Sequence, residues 1–242
     1  MNIALIFAGG SGKRMNTKAR PKQFLELHGK PIIIYTLEQF EMQPSVDGIV
    51  VVCLEGWISH LERMIRKFGM EKVKAIVPGG ASGQESIFNG VKKIHELYPE
   101  DAVVLVHDGV RPLIDGDTIQ AAIECTLEHG SAITTAPAIE TITVSRGEEE
   151  DAQVGEIIER KYCKMAKAPQ CFRLGALYGA HMKAREEGRL DFIDSASLMR
   201  HYGHPLYTVE GSTTNIKITT PTDFYIFRAI VDARESEQII GL

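Results

Sequence analysis

Paired cysteine motifs are missing from this chain. Cys53, Cys125, Cys163 and Cys171 never fall into a Cys-x-x-Cys spacing, and Cys53 and Cys125 stand in apolar stretches where free cysteine serves as a small core residue. Reduced thiols and a cytoplasmic location are therefore expected. Met1-Asn2 leads straight into an apolar strand, with no basic leader and apolar signal region before it. No apolar run approaches membrane-spanning length. A basic excess is also absent: 27 Lys and Arg face 32 Asp and Glu, a net charge of −5. This argues against general nucleic-acid or anionic-membrane binding, so any anion site must gather its positive charge locally. There is no internal repeat, low-complexity tract or linker, and one domain spanning 1–242 is expected.

What is present is ordinary globular material, 242 residues with 44% hydrophobic and 24% charged. It is organised around its first turn. Ile3 to Ala8 is an apolar run of strand length, read as buried on both faces. Gly9, Gly10, Ser11 and Gly12 follow at once, and these glycines let the backbone turn sharply and present its N–H groups to an anion. Lys13, Arg14 and Lys22 bring cations to the same turn. A Walker loop would need Gly where Phe7 stands and Ser or Thr where Arg14 stands, and the dinucleotide fingerprint ends wrongly at Met15. What remains, Ala-Gly-Gly-x-Gly-x-Arg-Met followed by Pro21-Lys22, resembles the signature of sugar-phosphate and polyol-phosphate nucleotidyltransferases.

Helices are predicted at Pro31–Met42, with Pro31 as the first helical position, and at Trp57–Phe68, Gln84–Leu97, Ile119–Leu127 and Leu174–Glu187. A further helix follows Asp194 as N-cap, and a last one runs from Pro221 to about Arg234. Strands are predicted at Gly48–Leu54, Lys74–Val77, Ala102–Val106, Ser131–Ala136, Leu206–Val209 and Asn215–Thr220. This alternation implies an α/β fold with a doubly wound, mostly parallel, Rossmann-like sheet. Ligands in such sheets bind outside the carboxyl ends of the strands. Gly9–Arg14, Gly79–Ser86 and His107–Arg111 all follow strands, so they are expected to converge on one edge.

The pattern breaks between Glu140 and Ala168. Thr141–Val144 alternates as an exposed strand does, residues 145–151 are a polar acidic turn, and Val154–Arg160 returns. Such a hairpin lacks the apolar surface to stand alone. It is read as an arm, 140–168, that lies on a second subunit, the alternative being a flap on its own chain.

Taken in order, Ala8–Met15, Pro21-Lys22-Gln23, Gly79-Gly80 with Ser86, Val106-His107-Asp108-Gly109-Val110-Arg111-Pro112, Ala168-Pro169-Gln170 and Asn215–Thr219 resemble one family over nearly the full length. It is that of the cytidylyltransferases acting on 2-C-methyl-D-erythritol 4-phosphate and on D-ribitol 5-phosphate. Ala-Gly-Gly in the first loop and Phe192-Ile193-Asp194 look more like the ribitol branch. The resemblance implies CTP and a polyol phosphate as substrates, a CDP-polyol and pyrophosphate as products, Mg²⁺ (or another divalent cation), and a homodimer.

It further implies that Arg14 and Lys22 stabilise the transition state of an in-line attack on the α-phosphorus. Phe7, Ala8, Gly9, Gly10, Ser11, Gly12, Gly80, Ala81, Ser86 and Asp108 are matched to the nucleotide side. Arg160 and Lys217 are matched to the substrate phosphate, with Thr141 in support. Arg160 and Thr141 lie on the arm and are expected in the partner's site. Asp108 is open between orienting Mg²⁺ or a polyol hydroxyl and capping the next turn, and Arg111 between the polyol pocket and pairing with a nearby acid. Asp194 is an acceptor for polyol hydroxyls. Three departures from the family pattern stand out: Gly83 where many relatives have Arg, Ala168 for Thr, and Ile193 for a hydroxyl residue. Rival readings are the methylerythritol branch, a nucleotidyltransferase using another base or a sugar 1-phosphate, and a nucleotide-binding regulator without turnover. Two cations at a reacting phosphorus speak against the last.

Overall fold

The computed structural model describes residues 1–9, 20–147 and 153–240, the last four of these by backbone alone. A seven-stranded sheet forms the centre. Its strands are β1 (Asn2–Ala8), β4 (Gly48–Cys53), β5 (Val73–Pro78), β6 (Val103–Asp108), β7 (Ser131–Pro137), β10 (Lys164–Arg173) and β11 (Thr208–Glu210), in the spatial order β11-β7-β10-β6-β1-β4-β5. Every neighbouring pair is parallel except those made by β10, which runs antiparallel to both β6 and β7. Two small strands, β2 (Glu26–Leu27) and β3 (Lys30–Pro31), form a separate ribbon.

The alternation of side chains across β1 divides the core. Ala4 and Ile6 face α1 (Ile32–Met42), α2 (Ile58–Lys67) and α4 (Gly116–His129) through Ile33, Leu37, Phe40, Leu61 and Ile119. Ile3 and Leu5 face α3 (Gly83–Leu97), α5 (Leu174–Glu186) and α6 (Ser195–His201) through Val91, Ile94, Leu177 and Leu198. Both faces of β4 and β6 are buried, as near-continuous apolar runs demand in a sheet covered on two sides. Helical Gly90 lets α3 lie close, since a Cβ there would run into Leu5 and Val52. A third cluster, with Ile32, Val110, Ile218 and Phe227, anchors α7 (Pro221–Ile240).

Two segments depart from the sequence reading. Lys164–Arg173, whose first residues the sequence pattern places in the arm, is a strand of the main sheet. Pro169 argues against a central strand in sequence; here the register with β7 shifts between Ala166 and Gln170, so the proline sits where the ladder is interrupted. Asn215–Thr220, read as a strand, is irregular. Ile218 N–H reaches Val110 O at 2.9 Å, but the carbonyls of Asn215 and Ile218 accept from side chains of Arg111, Lys167 and Lys22 instead of a neighbouring strand. The expected hairpin is present as β8 (Ile142–Arg146) and β9 (Gln153–Ile158), an antiparallel two-stranded sheet of its own.

Candidate active site

Where they are described, the three loop segments meet on one edge, the first of them through Gly9 alone. Gly109 N–H donates to Phe7 O at 3.0 Å, drawing the end of β6 onto the end of β1. Gly9 packs against the loop after β5 so closely that a Cβ on it would lie 3.4 Å from Gly79 Cα and 3.0 Å from Ser86 Oγ. The Pro21-Lys22-Gln23 stretch docks on the same edge: Gln23 Nε2 donates to Ala8 O at 2.6 Å and Lys22 Nζ to Ile218 O at 3.0 Å. Phe24, stacked on Trp57 at 4.7 Å, fixes this turn from beneath. Gly10, Ser11, Gly12 and Arg14 lie outside the described residues.

The backbone donors after Gly79 are already engaged. Gly80 N–H donates to Ser86 Oγ at 3.0 Å, and Ala81 N–H to the carboxylate of Glu85 at 2.8 Å. Ser86 itself donates to Ser82 O at 2.8 Å. Ser86 thus shapes this loop from the first turn of α3. Glu85, passed over in the sequence, holds a position where a phosphate oxygen would compete with it.

Beside these loops lies a cavity of about 320 Å³ whose polar lining includes Asp108, Arg111, Lys167, Gln170, Asp194 and Lys217, with Phe7 on its wall. Its centre is the buried carboxylate of Asp108. Oδ2 accepts from Arg111 Nε at 2.8 Å and Oδ1 lies 2.5 Å from Lys217 Nζ. Burial alone would raise the Asp108 carboxyl, but the Lys217 ammonium and the Arg111 guanidinium outweigh it and hold the group below the usual carboxylate range. Two cations on one carboxylate leave a net positive wall. Arg111 is held from behind: its Nη1 donates to Asn215 O at 3.0 Å, and its own carbonyl faces His107 Nε2 at 3.1 Å. Burial pushes His107 down to about 4, so it is a neutral ring.

Lys167 is a residue that the sequence did not single out. Its ammonium donates to the carbonyls of Ser212, Thr213 and Asn215 at 3.0–3.3 Å, and burial, with Arg111 nearby, lowers its proton affinity. It ties β10 to the segment that carries Lys217. The one signal in sequence was a lysine directly before Ala168-Pro169-Gln170. Gln170 bridges Asp194 Oδ2 at 2.7 Å and Ala196 N–H at 2.9 Å. Asp194 is the predicted N-cap of α6 and closes a capping box with Ser197, so its carboxylate is both structural and exposed to the cavity.

Arg160 and Thr141 do not reach this cavity within their own chain. Arg160 Nη1 donates to Ile139 O at 3.2 Å, and the side chain lines a separate surface hollow with Glu159, Lys161 and Lys164. Among the described residues, one group of His, Asp and Glu lies within metal-binding reach, His28, Asp232 and Glu235; none of the three lines the cavity.

This edge, with cations and a buried carboxylate at the carboxyl ends of a mostly parallel sheet, belongs to a nucleotidyltransferase. A solved structure of similar form is 2-C-methyl-D-erythritol 4-phosphate cytidylyltransferase from Francisella tularensis, 28% identical, with a TM-score of 0.76 over 93% of this chain and 96% of that one. Residues 2–233 match the IspD family model, 2-C-methyl-D-erythritol 4-phosphate cytidylyltransferase, and the chain belongs to that cytidylyltransferase family. Its curated relatives include ribitol-5-phosphate cytidylyltransferase from Vibrio parahaemolyticus, 51% identical over 100% of both chains. They also include 2-C-methyl-D-erythritol 4-phosphate cytidylyltransferase from Geotalea uraniireducens, 39% identical over 97% of this chain and 98% of that one.

Proposed function

We propose that the enzyme joins CTP to D-ribitol 5-phosphate, giving CDP-ribitol and pyrophosphate. The observation that carries this reading is the Asp108–Arg111–Lys217 constellation in a cavity with further polar groups along its wall. A phosphate meets the net positive side, and a polyol chain finds acceptors in Asp108 and Asp194. The 51% identity with a ribitol-5-phosphate cytidylyltransferase supports that polyol over methylerythritol phosphate.

In the reaction an oxygen of the ribitol phosphate attacks the α-phosphorus of CTP, and the bond from that phosphorus to the β-phosphate oxygen breaks as pyrophosphate leaves. Two anions must approach, so catalysis is positioning and charge neutralisation. Lys22 and Arg14 carry the charge that develops at the α-phosphorus. Lys22 is aimed by its bond to Ile218 O, on the segment that also carries Lys217. Lys217 and Arg111 present the polyol phosphate, and Asp108 keeps both in place. Phe7 to Gly12, Gly80, Ala81 and Ser86 form the nucleotide side.

Magnesium would travel with the triphosphate, whose oxygens supply its protein-independent ligands. It keeps several waters and asks a protein for one or two carboxylates. Asp108, the carboxylate read as its partner in sequence, is already neutralised by Arg111 and Lys217, so the triphosphate oxygens would hold the ion. Bound there, magnesium would neutralise triphosphate charge.

The β8–β9 arm completes the site in a homodimer, delivering Arg160 and Thr141 to the partner's substrate phosphate. Val144, Val154, Ile157 and Tyr162 are exposed on or beside an arm whose two strands, among the described residues, pair only with each other, and an isolated two-stranded hairpin is marginal in water. The chain works as one cytoplasmic domain with that arm. Among the described residues no helix is long and apolar enough to cross a membrane.

Pyrophosphate release with CTP, compared for D-ribitol 5-phosphate and 2-C-methyl-D-erythritol 4-phosphate, tests the reading. A higher kcat/KM with ribitol 5-phosphate is expected. The reverse order would move the enzyme to the methylerythritol branch, which the description of the family model favours.

A further inference from the structure

Beside the main cavity, and sharing Ile193, Asp194 and Ser195 with it, lies a second, smaller recess of about 10 Å³. Two side chains on the recess are anomalous. His181, on α5, and Ser195, the first residue of α6, are each 2% exposed. His181 Nε2 and Ser195 Oγ are among the few buried polar atoms without a hydrogen-bond partner among the described residues. Orphaned buried groups are rare because each forfeits the hydrogen bonds it made to water. Here two fall on one recess, and the recess has room for a single group the size of a water.

The chemistry of that group follows from its hosts. Burial, aided by Arg185, pushes His181 down to about 4, so the ring is neutral. A neutral imidazole presents a donor on one nitrogen and an acceptor on the other. No lysine or arginine lines the recess, so it suits no anion. A hydroxyl both donates and accepts, and satisfies Ser195 and either tautomer of His181. The surrounding loop is built to keep this shape: Gln84 Nε2 donates to Arg189 O at 3.1 Å and its Oε1 accepts from Phe192 N–H at 3.0 Å. Ser195 takes no part in starting its helix, which Asp194 and Ser197 cap between them. Its hydroxyl has no structural duty.

We propose that this recess receives the terminal hydroxyl of the polyol, at the end remote from the phosphate, with Ser195 and His181 as its partners. The proposal deepens the assignment of a polyol phosphate as substrate and rests on it. It makes Ser195 and His181 specificity residues: a substrate ending in a methyl group leaves both polar atoms unpaired, and such a site rejects the analogue far more strongly than an apolar one would.

The test compares kcat/KM for D-ribitol 5-phosphate and for its 1-deoxy analogue, which lacks only that hydroxyl. The wild-type enzyme should prefer the full substrate roughly ten- to a hundredfold. In Ser195→Ala the ratio should fall toward one. His181→Phe, which retains an aromatic ring beside Phe88, should lower it in the same direction and guards against a folding defect peculiar to the serine variant. A wild-type ratio near one, a ratio untouched by both substitutions, or an equal loss with both substrates overturns the proposal; the recess then holds a water or nothing. If the wild type turns over 2-C-methyl-D-erythritol 4-phosphate in preference, the substrate assignment fails by itself. The same ratio, measured with that substrate and its own analogue lacking the remote hydroxyl, then judges the recess separately.

Discussion

Lys217 Nζ lies 2.5 Å from Asp108 Oδ1, and the same carboxylate holds Arg111 Nε at 2.8 Å through its other oxygen. Asp108 and Arg111 are largely buried, with side chains 8% and 12% exposed, while Lys217 at 38% retains a face toward solvent. The pair is therefore a fixed base with a charge presented outward. Asp108→Ala would leave two cations facing each other, and a broken buried pair typically costs about 3–5 kcal/mol, toward the lower end here because Lys217 is partly solvated. Urea unfolding should register that loss. Lys217→Ala should instead raise the KM for the polyol phosphate by roughly one to two powers of ten, the worth of a charge-assisted contact, with the KM for CTP little altered. Equal changes in both KM values would remove Lys217 from the substrate-phosphate side.

Lys22→Ala should lower kcat on the order of a hundredfold or more and leave CTP affinity nearly unchanged, the signature of a contact realised in the transition state. Single-turnover kinetics with saturating CTP measures it. A pure rise in the KM for CTP would contradict the role.

Removing both arm strands, 142–158, should give monomers with little activity, while the intact chain should have the light-scattering mass of two copies. A one-chain mass for the intact protein would sink the shared site. Mixed Lys22→Ala and Arg160→Ala subunits give a finer test. If Arg160 acts in trans, a heterodimer carries both lesions in one site and neither in the other, and activity should exceed that of either parent.

Stability should fall as pH drops from about 6.5 toward 4. His107 and His181 both bind protons at about 4 in the fold, down from 6.5. Between those values the unfolded chain holds more protons than the folded one, so stability rises with pH across the window. Each ring contributes at most about 3 kcal/mol. Asp108, Arg111 and Lys217 surround His107, and Arg185 faces His181. The Asp108 carboxyl acts in the same sense at lower pH: its contribution, present above the ordinary carboxylate value, is lost as pH falls through its depressed folded value. Tm measured from pH 7 to 4.5 for the wild type and His181→Phe should show a shallower slope in the variant.

The strand that leads into the glycine loop, the βα alternation and the meeting of Phe7 and Gly9 with the loops after β6 and β5 were legible in the sequence because each rests on local chemistry. Buried parallel strands must be apolar on both faces, glycine must stand where Gly9 meets the loop at Gly79 and Ser86, and Asp194 caps the helix it begins. Tertiary structure alone decided the rest. β10 carries a proline and two lysines and reads as no central strand, yet β6 and β7 complete its hydrogen bonds on either side of the interrupted register. Asn215–Thr220 has a strand's composition, but side chains from three distant segments take its carbonyls and keep it irregular. Lys167 and His181 gain their meaning only from neighbours far away in the chain. A sequence fixes which groups are available and what each backbone stretch prefers; which buried polar atoms find partners, and which remain open for a ligand, depends on contacts that close only when the layers pack.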